Sequence, residues 1–149
     1  MLTYADECHR SQFGDMHRDI VRHFNKHVKR SEDKSLYKKV YPGDLVFNMM
    51  RAWQGAIGTV KNTGMVSPAY ICAIPNERVF PAFMNYFMRT ETMIGMINRQ
   101  SYGVTDFRKR LYWDSFVNIK CMLPCIDEQV RIYEFLEQID GIIESINQE

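Results

Sequence analysis

The stretch YPGDLVFNMMRAWQGAIGTVKNTGMVSPAYICAIPN, residues 41–76, decides how this chain folds. It opens on Tyr41-Pro42-Gly43-Asp44, a turn signal, because proline presets φ and glycine accepts positive φ. Leu45–Asn48 follows as a short apolar strand, and Ala56–Val60 reads as a second. Asn62-Thr63-Gly64 is another turn signal, and Tyr70–Ile74 is a third strand closed by Pro75-Asn76. Strands this short and this close together predict a curved antiparallel sheet, since a parallel pair needs a long crossover between its strands.

Upstream, the first 39 residues are polar and basic. Ile20, Phe24 and Val28 recur every four residues, which predicts a helix over 15–29 with a thin apolar stripe. Its remaining positions carry Arg18, Arg22, Lys26, Lys29 and Arg30, and Ser31–Ser35 reads as a loop. Downstream, Pro81 stands where a helix would begin. Phe83, Phe87, Ile94 and Ile97 share a helical face, so Pro81–Arg99 is one helix or two short ones. Ser101–Arg110 is a polar, glycine-containing loop with three consecutive bases, Arg108, Lys109 and Arg110. Val117, Ile119, Cys121 and Leu123 alternate with polar or longer side chains, the period of a half-buried strand that Pro124 ends.

The last segment has the clearest pattern. Ile132, Leu136, Ile139, Ile143 and Ile146 are spaced as a coiled-coil seam, with Asp127 as the expected N-cap. Phe135 and Ile142 widen the stripe, and Gly141 is expected to permit close approach. Burying each aliphatic side chain is worth roughly 1.5–3 kcal/mol, so the helix needs a partner surface. That surface is its own domain, a second copy or another subunit. The expected fold class is therefore α+β: a compact mixed domain over residues 1–126, then one coiled-coil-type helix over 127–149 for pairing or spacing.

Charge divides the chain in the same place. Residues 127–149 hold seven acids and one base, a net of −6, while residues 1–126 hold eighteen bases and eleven acids, a net of +7. A basic body can meet phosphates while an acidic helix stays clear of them. The apolar fraction of 46% suffices for a core. No apolar run is long enough to span a membrane, and residues 1–10 lack the apolar segment of a secretory signal. The irregularly spaced Cys8, Cys72, Cys121 and Cys125 read as reduced thiols, so a cytoplasmic location is expected.

The run from Tyr37 to Asn76 resembles the target-recognition domain of the specificity subunit of type I restriction–modification systems. The landmarks are Pro42-Gly43-Asp44, Asn48, Trp53-Gln54-Gly55-Ala56-Ile57-Gly58 and Ser67-Pro68-Ala69-Tyr70. Gly103 to Leu111 is similar to that family's glycine–arginine–leucine loop. Leu123-Pro124-Cys125-Ile126-Asp127-Glu128-Gln129-Val130-Arg131-Ile132 is similar to the start of its conserved helix. The resemblance spans about residues 36–149, with the landmarks in order. It departs from the family in three ways. There is one domain and one helix where a full subunit has two of each, the family's strand-rich opening is not recognisable in residues 1–35, and Cys125 stands where a second proline is common. The chain is thus expected to be a half subunit, a degenerate product or a fragment.

The resemblance implies a mixed α/β domain that reads half of a split double-stranded DNA target. It also implies a helix that docks the methyltransferase subunit and, indirectly, the motor–nuclease subunit, or pairs with a second copy. Arg51 and Gln54 are candidate base readers, since arginine bonds guanine and glutamine bonds adenine in the major groove. Trp53 beside them is either a DNA contact or core. Ser67 and Tyr70 belong either to a rigid loop facing DNA or to a structural turn with the tyrosine buried. Ser101, Tyr102, Thr105, Arg108, Lys109 and Arg110 form the best phosphate-contact loop, against the alternative of a solvated charge run.

Other chemistry finds little support. Cys8, His9, His17, His23 and His27 cluster near the N-terminus without a complete zinc spacing, so no metal is expected. The chain contains no glycine-rich nucleotide loop, no P-loop and no nucleophile elbow. The residues point to a non-catalytic chain without a cofactor.

Overall fold

A computed structural model of the chain describes residues 36–105 and 107–148. The expected helix over 15–29, its basic face, and the histidine cluster lie outside the described residues. The fold is mixed: four α-helices and five short antiparallel strands in two small sheets, among the described residues.

The strands are β1 (Lys38–Val40), β2 (Leu45–Asn48), β3 (Ile57–Thr59), β4 (Gly64–Val66) and β5 (Tyr70–Ala73). β2 lies at the centre of a three-stranded sheet in the order β3-β2-β5. Its register sets Phe47 opposite Ile57 on one side and Ile71 on the other. All four β2 residues are buried, which is why its first three, Leu45-Val46-Phe47, read as a continuous apolar run rather than an alternating one. β1 and β4 pair separately, Lys38 opposite Val66 and Val40 opposite Gly64. The expected single sheet is therefore two. Strands β1 and β4 are three residues each, too short to show a period, and β1 falls partly in a stretch that looks merely basic.

The turn at Tyr41–Asp44 forms as its residues dictate. Gly43 adopts φ 94° and donates to the Val60 carbonyl at 2.9 Å. Asp44 is buried, its carboxylate accepts from the Tyr41 amide at 2.9 Å and its own amide donates to the Tyr41 carbonyl at 3.0 Å, so the two ends of the turn are tied twice.

The helices are α1 (Pro81–Phe87), α2 (Glu91–Gln100), α3 (Trp113–Val117) and α4 (Ile126–Ile146). Pro81 occupies the first turn of α1, where its missing N–H has no partner to lose. The segment 81–99 is two helices because Thr90 caps the second: its hydroxyl accepts from the Met93 amide and donates to the Phe87 carbonyl. The expected strand over 117–123 is absent. Val117 ends α3, and residues 118–125 have no regular structure. Ile119 is buried while Met122 is 93% exposed, so the alternation is real but describes an extended segment lying on the core without ladder partners. α4 begins at Ile126 with Cys125 as N-cap, and no side chain caps it. Asp127 instead lies in its first turn, where a carboxylate favours the positive end of the helix dipole.

The core gathers β2, β3, β5, α1 and α2 around Phe47, Leu45, Ile57, Met84 and Ile97, each essentially inaccessible. Phe116 of α3 joins it, ring to ring with Phe47 at 4.7 Å. No helix among the described residues is long and apolar enough to cross a membrane.

Candidate nucleic-acid interface

Three loops that are distant in sequence meet at one residue. The Met49 amide donates to the Ala69 carbonyl at 3.0 Å, and the Met49 carbonyl accepts from the Leu111 amide at 2.8 Å. Met49 thereby ties the turn 48–56 to the segments ending at Tyr70 and at Leu111. The expected recognition segments, separate in the sequence, are thus joined through backbone hydrogen bonds.

The turn 48–56 is shaped from beneath by Asn48. This side chain is buried, and its Oδ1 accepts from the Met50 amide at 3.0 Å. The Asn48 amide and carbonyl bond Ala56 and Arg51, at 3.0 Å each. A short 3-10 turn, Ala52–Gln54, then ends at Gly55 with φ 88°, a conformation glycine adopts without strain. This arrangement leaves Arg51 and Gln54 exposed. Trp53 is half-buried against the core, and its Nε1 donates to the Met50 carbonyl at 3.0 Å. The indole thus braces the turn. Asn48 carries the family-like motif, yet nothing in its spacing marks it as the residue that holds the turn.

The second segment is mostly internal. Tyr70 is 3% exposed and part of the core, and its carbonyl accepts from Lys38 Nζ at 2.7 Å. Its ring is not at the surface. Ser67 is half-buried and its carbonyl accepts from the Tyr70 amide.

The third loop is a pinched hairpin. Tyr102 and Arg110 exchange both backbone hydrogen bonds, at 3.1 and 2.9 Å. Across the pinch, the Tyr102 and Tyr112 rings pack at 5.2 Å. Gly103 lies against the backbone of Arg108, and a Cβ there would stand 2.9 Å from the Arg108 carbonyl carbon and overlap its oxygen. Arg108 and Arg110 are exposed, while Lys109 Nζ donates to Asn98 Oδ1 on α2 at 3.2 Å. Ser101 is buried, with its hydroxyl donating to the Ile97 carbonyl at 2.7 Å. Thr105 Oγ1 is buried and has no hydrogen-bond partner among the described residues.

Of the eleven residues singled out by sequence, Arg51, Gln54, Tyr102, Arg108 and Arg110 are exposed and Lys109 is half-buried. Trp53, Tyr70 and Ser101 support the loops from within.

No protein-family model matches this chain, and no curated protein sequence matches it.

A second surface lies on α4. A helix turns about 100° per residue, so Gln129, Tyr133, Glu137 and Asp140 form one stripe. That stripe faces the chain's own domain. Tyr133 packs edge-on to Phe80 at 5.4 Å, and the Tyr86 hydroxyl donates to Asp140 at 2.6 Å. The aliphatic seam lies beside it. Ile132, Leu136 and Ile139 are half-buried along its first turns, whereas Ile143 and Ile146 are 50% and 65% exposed. Phe135 and Ile142, farther round, are 61% and 59% exposed. Gly141 sits roughly opposite the seam, about 180° from Ile132. No atom of its own domain lies within 4 Å of where its Cβ would be, so the space beside it is open.

Proposed function

We propose that this chain reads double-stranded DNA as the target-recognition domain of a type I restriction–modification specificity subunit, or half subunit. The convergence of the 48–56 and 101–111 loops at Met49 supports the reading, because it joins the loop that bears the exposed Arg51 and Gln54 to the loop that bears the exposed Arg108 and Arg110. Arginine and glutamine have the donor and acceptor geometry to read guanine and adenine edges, and the 108–110 bases to hold phosphates. The ordered motif resemblance across residues 36–149 supports the same reading. The protein supplies no chemistry of its own and needs no cofactor. It directs a methyltransferase subunit and, through it, a motor–nuclease subunit, in the cytoplasm.

The uncovered stripe of α4 supports a docking role for the helix. Four large apolar side chains at least half exposed on a single helix face are what a helical partner covers. That partner is the methyltransferase subunit or the matching helix of a second copy. The stripe also fits a scaffold that binds protein alone.

Salt dependence separates the two. A DNA reader binds short duplexes with an affinity that falls steeply and linearly in log salt, with a slope near −0.9 per phosphate neutralised. Arg108→Ala or Arg110→Ala lowers that slope by about one. A chain with no duplex affinity in low salt, alone or with its methyltransferase, is not a DNA reader.

A further inference from the structure

We propose that Phe107 is a wedge that enters a base-pair step, so that part of the sequence preference is read as the ease of opening that step. The inference rests on the DNA-reading proposal above and adds a mode of readout to it.

Phe107 is 74% exposed and Val104 is 99% exposed, the two most uncovered large apolar side chains of the 101–111 hairpin. Neither contributes to the core. They stand at the tip of a loop whose base is held firmly. Tyr102 and Arg110 pair through both backbone groups, Gly103 sits tight against Arg108, and Leu111 is bonded to Met49 and fully buried. A firmly based loop with an apolar tip holds that tip in water for want of a covering surface.

The charges beside the tip say what that surface is. Arg108 follows Phe107 directly and Lys109 and Arg110 come next, so three bases outweigh the one acid, Asp106, that precedes Phe107 in the sequence. The occupant must therefore present an apolar face with negative charge immediately around it. A base-pair step offers this: a stacked aromatic face flanked by phosphates on both strands. Proteins that insert an apolar side chain in this way unstack the step and bend the duplex. Pyrimidine–purine steps open most easily, so the wedge favours them without any hydrogen bond to their edges.

The contrast with Arg51 and Gln54 sharpens the assignment. Those side chains are suited to reading edges by hydrogen bonds, whereas Phe107 has no polar atom in its side chain. Its contribution is to shape alone.

The test uses the full chain and short duplexes enriched from a random-sequence pool by binding to it. The adenine analogue 2-aminopurine replaces adenine at successive positions, since its fluorescence rises when it is unstacked. The expected result is a several-fold rise at one step, lost in Phe107→Ala and retained in Phe107→Trp. Phe107→Ala leaves the salt slope unchanged, whereas Arg110→Ala lowers it and keeps the fluorescence rise. Tight binding with no rise at any position overturns the wedge and leaves DNA reading intact. A rise that survives Phe107→Ala also overturns it. Failure to enrich any duplex overturns both readings.

Discussion

The side chain of Gln129 is fully buried and bonds the backbone of the Arg78–Phe80 segment twice: Oε1 accepts from the Phe80 amide and Nε2 donates to the Arg78 carbonyl, both at 2.9 Å. Nε2 also donates to the Pro124 carbonyl at 2.9 Å. A carboxamide satisfies a backbone N–H and C=O as another peptide group would, so this residue joins α4 to the domain as a strand joins a sheet.

Gln129→Leu keeps the volume and orphans one amide and two carbonyls. Each buried polar group left unpaired costs about 1–3 kcal/mol, and because these three bonds are only partly buried the expected loss of stability is at the low end, about 3 kcal/mol. Gln129→Glu retains only the bond from Phe80 and sets a carboxylate against two carbonyl oxygens, so it too destabilises. Urea unfolding of both variants measures this. If Gln129→Leu unfolds at the wild-type midpoint, the buried amide contributes nothing to the attachment of the helix.

Gly103→Ala tests whether the 101–111 hairpin is a contact surface. The added Cβ has no room against the Arg108 backbone, so the pinch between Tyr102 and Arg110 must open. Hydrogen exchange at the Tyr102 and Arg110 amides is expected to quicken, while global stability changes little because the residues between Ser101 and Leu111 lie outside the core. Under the proposed function, duplex affinity falls with it. Wild-type affinity in a variant whose hairpin amides exchange freely would place DNA elsewhere on the molecule.

These residues also show what was legible beforehand. The turn at Pro42-Gly43, the strands β2, β3 and β5 and the final helix follow from turn chemistry and apolar patterning, signals local enough to read in one dimension. Residues 117–123 misled because alternation reports which side of an extended chain is apolar, not whether its backbone finds a ladder partner. The split between α1 and α2 had a signal in Thr90-Glu91, an N-cap followed by an acid. The candidate loops were visible as clusters of basic and amide side chains, but their meeting at Met49 was not, since backbone hydrogen bonds between loops leave no mark on side-chain identity. Gln129 was missed for a related reason: a glutamine in an acidic helix looks solvated until its carbonyl partners are known.

Alkaline pH should loosen the packing of α4 on α1. The Tyr86 hydroxyl is held above its ordinary pKa by burial, then by its hydrogen bond to Asp140, and Tyr133 is raised by burial and Glu137. A raised pKa in the folded state means that the unfolded chain ionises first. The stability these phenols contribute is complete below about pH 10 and is lost as pH rises beyond it. The double variant Tyr86→Phe, Tyr133→Phe is expected to show a shallower fall in Tm above pH 10 than the wild type. Parallel alkaline limbs for the two proteins would remove these tyrosines from the account.

Thr105→Val is expected to leave stability unchanged or raise it. The Thr105 hydroxyl oxygen is buried without a partner among the described residues, and an unpaired buried polar group costs about 1–3 kcal/mol. Valine has nearly the same shape and no such group to satisfy. A drop in Tm would mean that the hydroxyl is bonded in solution, and the loop would then differ from the hairpin described.

The two faces of α4 can be separated by substitution. Ile142→Asp with Ile146→Asp alters only side chains that are 59% and 65% exposed, away from the stripe that holds Gln129 and Tyr133. Exposed substitutions of this kind usually shift stability by less than about 0.5 kcal/mol, so the isolated chain should melt as before. Association behaves differently. Two charges placed in an apolar seam must be buried unpaired when a partner helix covers it, a cost of several kcal/mol per ion. Sedimentation velocity of the chain alone and with its methyltransferase subunit should therefore show loss of the larger species in the variant. Should the variant assemble like the wild type, the stripe is not the docking face. The Gln129 side of the helix, already committed to its own domain, could not replace it without being stripped from Phe80.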